Sequence, residues 1–180
     1  MNQTISKILE RRSIRAYLPE QIPEDSLQQI IEAGLAAPTG MNRQSCKFTV
    51  LQGEPHQRLT LAITKAVLEG NLHFRAKDES YRCNYNAPTW ILVSEDRENK
   101  IGYADCACAL ENMMLAATAL GLGSCWVNQV YPTCDMPEIR EILTSFGIPE
   151  SHIVYGSAAI GYAAETPRAL ERKEGRVIRP

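Results

Sequence analysis

The sequence has no large excess of either charge, no long apolar run and no CxxC pair of cysteines. Its 19 basic and 21 acidic residues leave a net charge of −2, and both signs are mixed along the chain. Neither nucleic acid nor an anionic membrane is therefore an expected partner. No apolar run is long enough to span a bilayer. The six cysteines include no CxxC pair and no signal-peptide pattern precedes them, so we expect reduced thiols in a cytoplasm and no metal site.

The chain also lacks the GxGxxG fingerprint of dinucleotide-binding domains, so no Rossmann site is indicated. Its 180 residues, 44% of them hydrophobic, suit one domain or one domain with an arm. Helical and strand patterns are mixed along the chain. Apolar runs predict strands at 48–51, 90–93, 124–127 and 154–160, and the run at 90–93 is typical of a strand buried on both faces.

Arginines are concentrated where the first helix ends. We expect Thr4 to cap this helix, which is followed by Arg11, Arg12, Ser13 and Arg15 within five residues. Guanidinium groups and a hydroxyl form charge-assisted hydrogen bonds to phosphate or carboxylate. The alternative is a solvated basic helix end, where cations also favour the helix dipole. These residues alone leave both interpretations open.

A loop at 38–44 precedes the first predicted strand. It is rich in turn formers and in side chains that both donate and accept hydrogen bonds, so it could present an amide to a heterocycle. An ordinary helix-to-strand turn is the alternative. Residues 70–86 are polar, aromatic and irregular for long enough to form a lid or wall.

The longest helical pattern, 101–120, is apolar almost all round and should therefore be buried. Burial on every face is easiest if part of this helix packs against a second copy of the chain. We expect its Met-rich face to be core, with Cys106 and Cys108 on different faces.

A strand follows this helix and ends in the polar turn Asn128-Gln129, which is a plausible place for a ligand. Cys125 on this strand has no neighbouring base in the sequence, so a buried structural thiol is favoured over a nucleophile. The tail at 165–180 is basic and has little apolar content. It is either a frayed terminus or a second source of cations for the anion near Arg11.

Taken in order, four motifs of this chain resemble the FMN-dependent nitroreductase family. They are RRSIR at 11–15, APTGMNRQ at 37–44, ENMMLAA at 111–117 with LGLGSCW at 120–126, and AIGY at 159–162 before the basic tail. The resemblance implies an α+β fold with a central, mostly antiparallel sheet flanked by helices. It also implies an intertwined homodimer with two FMN sites at the interface, formed by a domain at 1–164 and a basic C-terminal arm at 165–180 that contributes to the flavin site or the dimer.

The resemblance also implies a set of cofactor-binding residues. Arg11 and Ser13 match phosphate contacts, whereas Arg12 and Arg15 match positions at the ribityl chain or the pyrimidine side of the flavin. The loop supplied by the partner subunit is matched by Pro38, Thr39, Gly40 and Asn42. The strand and turn beneath the ring, where a backbone N–H reaches flavin N5, are matched by Cys125, Trp126, Val127 and Asn128. Many relatives have Glu-Gly at the end of that turn, so a carboxylate role there is not available to this chain. The candidates for further phosphate contacts are Arg172, Lys173 and Arg176.

The activity that the resemblance implies is transfer of a hydride from NADH or NADPH through FMN N5 to a nitroaromatic, a quinone or a similar acceptor, by a ping-pong mechanism. No side chain is needed as a catalytic acid or base, because FMN carries the chemistry. Alternatives are a flavin reductase, an ene-type reductase or a dehalogenase of the same fold, or a protein that binds FMN without turnover.

Overall fold

The computed structural model describes residues 1–70, 78–167 and 171–180, which form a four-stranded antiparallel sheet with helices on both faces. In chain order the elements are α1 (Gln3–Glu10), α2 (Glu24–Leu35), a 3₁₀ turn (Gly40–Asn42), β1 (Lys47–Leu51), α3 (Gly53–Leu68), β2 (Thr89–Asp96), α4 (Gly102–Ala119), β3 (Gly123–Val127), α5 (Val130–Thr133), α6 (Pro137–Ser145) and β4 (His152–Gly161). The strand order is β1-β2-β4-β3, and every neighbouring pair is antiparallel. The predicted α+β class and antiparallel sheet are confirmed.

Strand β2 lies in the middle of the core because apolar clusters cover both of its faces. Trp90 and Leu92 belong to the cluster on the α3 and α6 side, while Ile91 and Val93 belong to the one on the α2 and α4 side. Successive side chains of a strand point to opposite faces, so a continuous apolar run is what two covered faces require. The prediction of a doubly buried strand is confirmed.

Helix α4 packs against the sheet and α2, with Met113 and Met114 buried as predicted for a core face. Cys106 is fully buried and Cys108 is exposed, so the two thiols do lie on different faces. A stripe of α4 nevertheless stays exposed in the single chain: Tyr103, Ala104, Cys108, Glu111 and Ala119. One chain therefore does not bury this helix on every face, because the sheet and α2 cover only part of its circumference.

Helix α1 begins one residue before the predicted cap. The Asn2 side chain accepts hydrogen bonds from the backbone N–H groups of Thr4 and Ile5, at 2.9 and 3.4 Å. The prediction that Thr4 caps this helix was wrong, because Thr4 is itself one of the donors that a cap must satisfy. Helix α1 buries no residue, and Ile8 and Leu9 remain 42% and 49% exposed.

The remaining expectations concern the predicted wall, the cysteines, a metal site and a membrane span. Residues 71–77 of the predicted wall lie outside the described residues, and 78–88 form turns. All six cysteines are free thiols. In the described ranges, no three His, Cys, Asp or Glu side chains are grouped as a metal ion would require. No helix in the part of the chain that the structure describes is long and apolar enough to cross a membrane.

Candidate active site

The arginine cluster lies on an extended segment that runs beside β3. Ser13 forms a parallel bridge with Ser124, and the backbone N–H of Ile14 donates to the Ser124 carbonyl at 3.0 Å. Ile14 is only 5% exposed and packs over Gly123, where an added Cβ would lie 2.9 Å from Ile14 Cγ1. Because successive side chains of an extended chain point to opposite sides, Arg11, Ser13 and Arg15 share the face opposite Ile14.

The buried thiol of Cys125 lies beside this face. Burial raises the pKa of Cys125, while Arg15, a hydrogen bond with Ser13 and, more weakly, Arg11 oppose that rise. All three side chains therefore lie close enough to influence one sulfur atom. The net pKa is raised and the residue is 2% exposed, which disfavours a thiolate and agrees with a buried structural cysteine.

Arg15 has two further neighbours that the sequence did not indicate. Its Cζ lies 6.0 Å from the centre of the Tyr85 ring, and its interaction with the Tyr85 side chain is the main cause of its raised pKa. The Glu165 carboxylate accepts a hydrogen bond from the Arg15 backbone N–H. The start of the C-terminal arm is thus fixed at the cluster, and the N–H of Ala164 also donates to the Ala16 carbonyl at 2.9 Å.

Arg12 differs from its neighbours because its guanidinium turns back towards α1. Its Nη1 donates to the carbonyls of Leu9 and Arg11, at 2.6 and 2.8 Å. The last carbonyls of a helix have no partner within the helix and carry its negative pole, so a cation there is favourable. Of the two interpretations of this basic stretch, a helix-end role therefore fits Arg12, and its contact with a ribityl chain stays a prediction.

The end of β3 and the following turn border the same region. Val127 is 1% exposed, Trp126 is half-buried and Asn128 is exposed. Trp126 packs over Gly156, where an added Cβ would lie 2.5 Å from Cζ2 of the indole. After Asn128, the Gln129 side chain donates from Nε2 to the Tyr81 hydroxyl at 3.0 Å. The turn is therefore tied to the segment at 78–88.

The loop at 38–44 lies at the other edge of the sheet. The Gly40 N–H donates to Asp105 Oδ1 at 2.9 Å, and Arg43 Nη1 donates to Asn99 Oδ1 at 3.0 Å. This loop leads into β1, whereas the arginine cluster pairs with β3, and these are the two edge strands. Three strand spacings put the edges roughly 14 Å apart. One chain therefore does not bring Pro38, Thr39, Gly40 and Asn42 together with the arginine cluster.

The predicted cations of the C-terminal arm are also separate from the cluster. Arg172, Lys173 and Arg176 are exposed, and in the described ranges no hydrogen bond or salt bridge joins them to Arg11 or Ser13. Their predicted contact with phosphate stays a prediction.

Sequence reasoning missed Asp105, Tyr81, Tyr85 and Glu165. Asp105 did carry a signal, because it is a carboxylate within an apolar helix and is 5% exposed. The two tyrosines and Glu165 had no such local signal, since each acts through a contact distant in sequence.

Comparison with known proteins identifies the family to which this fold belongs. The nitroreductase family model matches residues 8–162. A crystal structure of a nitroreductase with bound FMN from Bacteroides fragilis is 40% identical, covers 100% of both chains and superimposes with a TM-score of 0.91. A nitroreductase with bound FMN from Desulfitobacterium hafniense is 28% identical, covers 100% of this chain and 99% of its own, and gives a TM-score of 0.86. An NADPH-flavin oxidoreductase from Vibrio harveyi is 27% identical over 180 residues, which is 99% of this chain and 73% of the relative.

The chain belongs to the nitroreductase family. The prediction of an oxidoreductase with this fold is therefore confirmed.

Proposed function

We propose that this protein is an FMN-dependent NAD(P)H oxidoreductase that reduces a nitroaromatic, a quinone, a free flavin or a similar acceptor. The observation that carries the proposal is the shared face of Arg11, Ser13 and Arg15 beside the buried Cys125. The FMN bound in the similar Bacteroides fragilis structure supports the choice of cofactor.

The residues present fit FMN. Arg11 and Ser13 offer a guanidinium and a hydroxyl suited to a phosphate, and Arg15 on the same face offers a second cation for the electron-rich edge of the flavin. Arg11 is held only weakly within the chain, since its Nε lies 3.7 Å from Glu111 Oε1. An exposed ion pair at that distance contributes little, so Arg11 remains available to an anion.

When bound, FMN supplies two-electron chemistry between the nicotinamide and the acceptor. The chain contributes position and electrostatics. Arg11 and Ser13 would bind the phosphate, Arg15 would oppose negative charge at the pyrimidine edge, and the backbone near Asn128 would hydrogen-bond to the ring. Because the sequence has no separate dinucleotide fingerprint, nicotinamide and acceptor would use one position in turn, which predicts parallel double-reciprocal lines.

We also propose that each site is built from two chains. One chain separates the loop at 38–44 from the arginine cluster by the width of the sheet. It also leaves exposed the α4 stripe and a groove of about 880 Å³ between α1, α2 and α4. Packing of a second copy on these surfaces would cover Ile8, Leu9 and Leu115, and would bring each loop to the partner's cluster. The domain would then span 1–164, and the arm at 165–180 would carry the exposed residues Arg172, Lys173 and Arg176 to the site.

The proposal is tested by titrating the purified protein with FMN and with riboflavin. Arg11→Ala should weaken FMN binding about tenfold or more, because a lost charge-assisted contact costs roughly 1.5–3 kcal/mol. Riboflavin has no phosphate and should be much less affected. Arg58→Ala, which removes an arginine on α3 instead, is the matched control. Equal losses for both ligands, or no flavin binding by the wild-type protein, would reject the assignment.

Turnover separates an enzyme from a protein that only carries FMN. We expect steady oxidation of NADH or NADPH in the presence of a quinone or a nitroaromatic. The name of the Vibrio harveyi relative favours free flavin as a second acceptor, which the same assay can include. Bound FMN without any turnover would leave the carrier as the remaining interpretation.

The free thiols at all six cysteines support a reducing, cytoplasmic setting.

A further inference from the structure

Tyr85 lies in a backbone conformation that an aromatic residue rarely adopts. Its φ is 57°, and that of the next residue, Asn86, is 56°. A bulky side chain in the left-handed region is unfavourable and persists only where the surrounding structure enforces it. The surrounding structure must therefore enforce this turn at Tyr85.

The turn is enforced by a buried polar network on α3. Asn84 is fully buried, and its Nδ2 donates to Thr60 Oγ1 at 2.7 Å and lies 2.8 Å from His56 Nε2. Asn84 Oδ1 also accepts from the backbone N–H of Asn86, at 3.3 Å. Burial lowers the pKa of His56, so its ring is neutral and Nε2 can accept this hydrogen bond. A buried, satisfied network of this kind permits few alternative arrangements.

The turn carries the Tyr85 ring to the Arg15 guanidinium, whose Cζ lies 6.0 Å from the ring centre. Arg15 is otherwise exposed, and a free arginine samples many rotamers in water. A cation that is held in place acts on a neighbouring charge more strongly than one that moves in solvent, because solvent screening and reorientation are reduced.

We propose that Tyr85 is a positioning residue that holds Arg15 at the pyrimidine edge of the bound flavin and thereby raises the flavin's reduction potential. This inference rests on the proposed function, in which Arg15 faces that edge. Reduced FMN is more negative there than oxidised FMN, so a cation held at the edge favours the reduced form. The segment at 78–88 is then part of the wall of the site and acts through its contact with Arg15.

The test is the midpoint potential of FMN on the intact protein, measured by spectroelectrochemical titration. Tyr85→Asn removes the ring, and asparagine tolerates the positive φ. It should weaken binding of reduced FMN about tenfold relative to oxidised FMN, which is a fall of about 30 mV for a two-electron couple. Arg15→Met should lower the potential at least as far, and adding Tyr85→Asn to it should change nothing further, because the two residues act as one unit. Tyr131→Asn, which removes an exposed ring on α5, is the matched control and should leave the potential unchanged.

A second variant separates positioning from a structural role. Tyr85→Gly removes the same half-buried ring and its packing against the core, but it relieves the positive φ more fully. The two variants should therefore differ in melting temperature and lower the potential by the same amount. If the potential followed the melting temperature across the two variants, or if both kept the potential of wild type, the inference would be overturned while the proposed function stood. If the wild-type protein bound no FMN, both would fall.

Discussion

The arginine segment and the loop at 38–44 lie at opposite edges of one sheet and are held in different ways. The arginine segment pairs with β3 through its backbone and buries Ile14 beneath it. The loop is mostly exposed and depends on single hydrogen bonds to Asp105 and Asn99. It also contains positive φ values at Met41, Asn42 and Gln44. The arginine segment is therefore packed at the edge of the core, whereas the loop at 38–44 is strained and held by a few hydrogen bonds.

This difference teaches that the two regions are suited to different tasks. Backbone pairing fixes the cations of the cluster within the chain that carries them. A strained, exposed loop is stabilised more when a second surface covers it. This difference is in keeping with the proposal that each site is completed across two copies of the chain.

The largest expected effect comes from separating the two regions onto different chains. At an FMN concentration that just saturates the wild-type protein, we expect the Arg11→Ala and Asn42→Gly homodimers to be largely inactive, because their weakened sites stay mostly empty. Glycine tolerates the φ of 54° at Asn42. Refolding the two variants together should restore about half of a wild-type dimer's activity in each heterodimer, if the two sites are independent. Activity and flavin binding of the isolated heterodimer are the measurements.

In that heterodimer one site carries both lesions and the other carries neither. Mixtures that form heterodimers but stay as inactive as their parents would show that each site belongs to one chain. Wild-type protein taken through the same refolding serves as the control.

A smaller effect is expected from adding one methyl group to each region. Gly123→Ala would place Cβ 2.9 Å from Ile14 Cγ1 and 3.1 Å from its Cβ, so the arginine segment must shift away from β3. We expect a loss of about 1–3 kcal/mol in unfolding free energy, together with weaker FMN binding. Gly40→Ala would clash with the terminal methyl of the partly exposed Ile101, which can rotate away, and would lie at an ordinary contact distance of 3.9 Å from Asp105 Oδ1, so it should cost less. Chemical denaturation of both variants checks the order, and a larger loss for Gly40→Ala would contradict it.

Substitutions at Asp105 test the hydrogen bond that anchors the loop at 38–44. Asp105→Ala leaves the Gly40 N–H without its acceptor, at a cost of about 1–3 kcal/mol, and should weaken FMN binding by the partner chain. Asp105→Asn keeps an oxygen acceptor and should recover most of the affinity. The measurements are FMN affinity and the melting temperature of both variants. Equal losses in the two variants would show that charge, and not the hydrogen bond, matters at this position.

The smallest effect is expected from lowering the pH, which should destabilise the loop at a higher pH than the arginine cluster. Burial opposes ionisation of Glu95, but hydrogen bonds from Ser45 and the Asp96 N–H outweigh it and lower its pKa below the usual 4.5. A carboxyl whose pKa is lower in the folded protein stabilises the fold above the unfolded pKa. That stability is lost as the pH falls through the folded value. The cluster's guanidiniums do not titrate in this range.

The protection of backbone amides near Ser45 against hydrogen exchange, measured relative to the intrinsic exchange rate at each pH, should therefore fall between pH 5 and 3. Protection at Ile14 should change less, and the interval is set by the usual carboxyl pKa. In Glu95→Gln, the loss of hydrogen-exchange protection near Ser45 between pH 5 and 3 should be smaller than in the wild-type protein. Parallel changes at both places in the wild-type protein would contradict the comparison.

Much of the fold followed from local patterns because those patterns report burial directly. The apolar run at 90–93 required two covered faces, and β2 has them. The apolar helix predicted at 101–120 is α4, although one chain covers it only in part. Family membership also followed from short motifs in order, and the family model confirms it. The Thr4 cap failed because caps at neighbouring polar residues compete within one turn, and propensity alone does not choose between them.

The sequence by itself determined that Arg11, Ser13 and Arg15 lie within five residues after the first helix. Their spacing of two places them on one face because the structure extends this segment beside β3. Only the tertiary structure decided which distant residues contact that face and the loop at 38–44. Asp105 reaches Gly40 across 65 residues, and Tyr85 reaches Arg15 through a turn that Asn84 holds on α3. Such contacts depend on strand order and on a buried network, and no local periodicity encodes either, because both arise only when distant segments pack together.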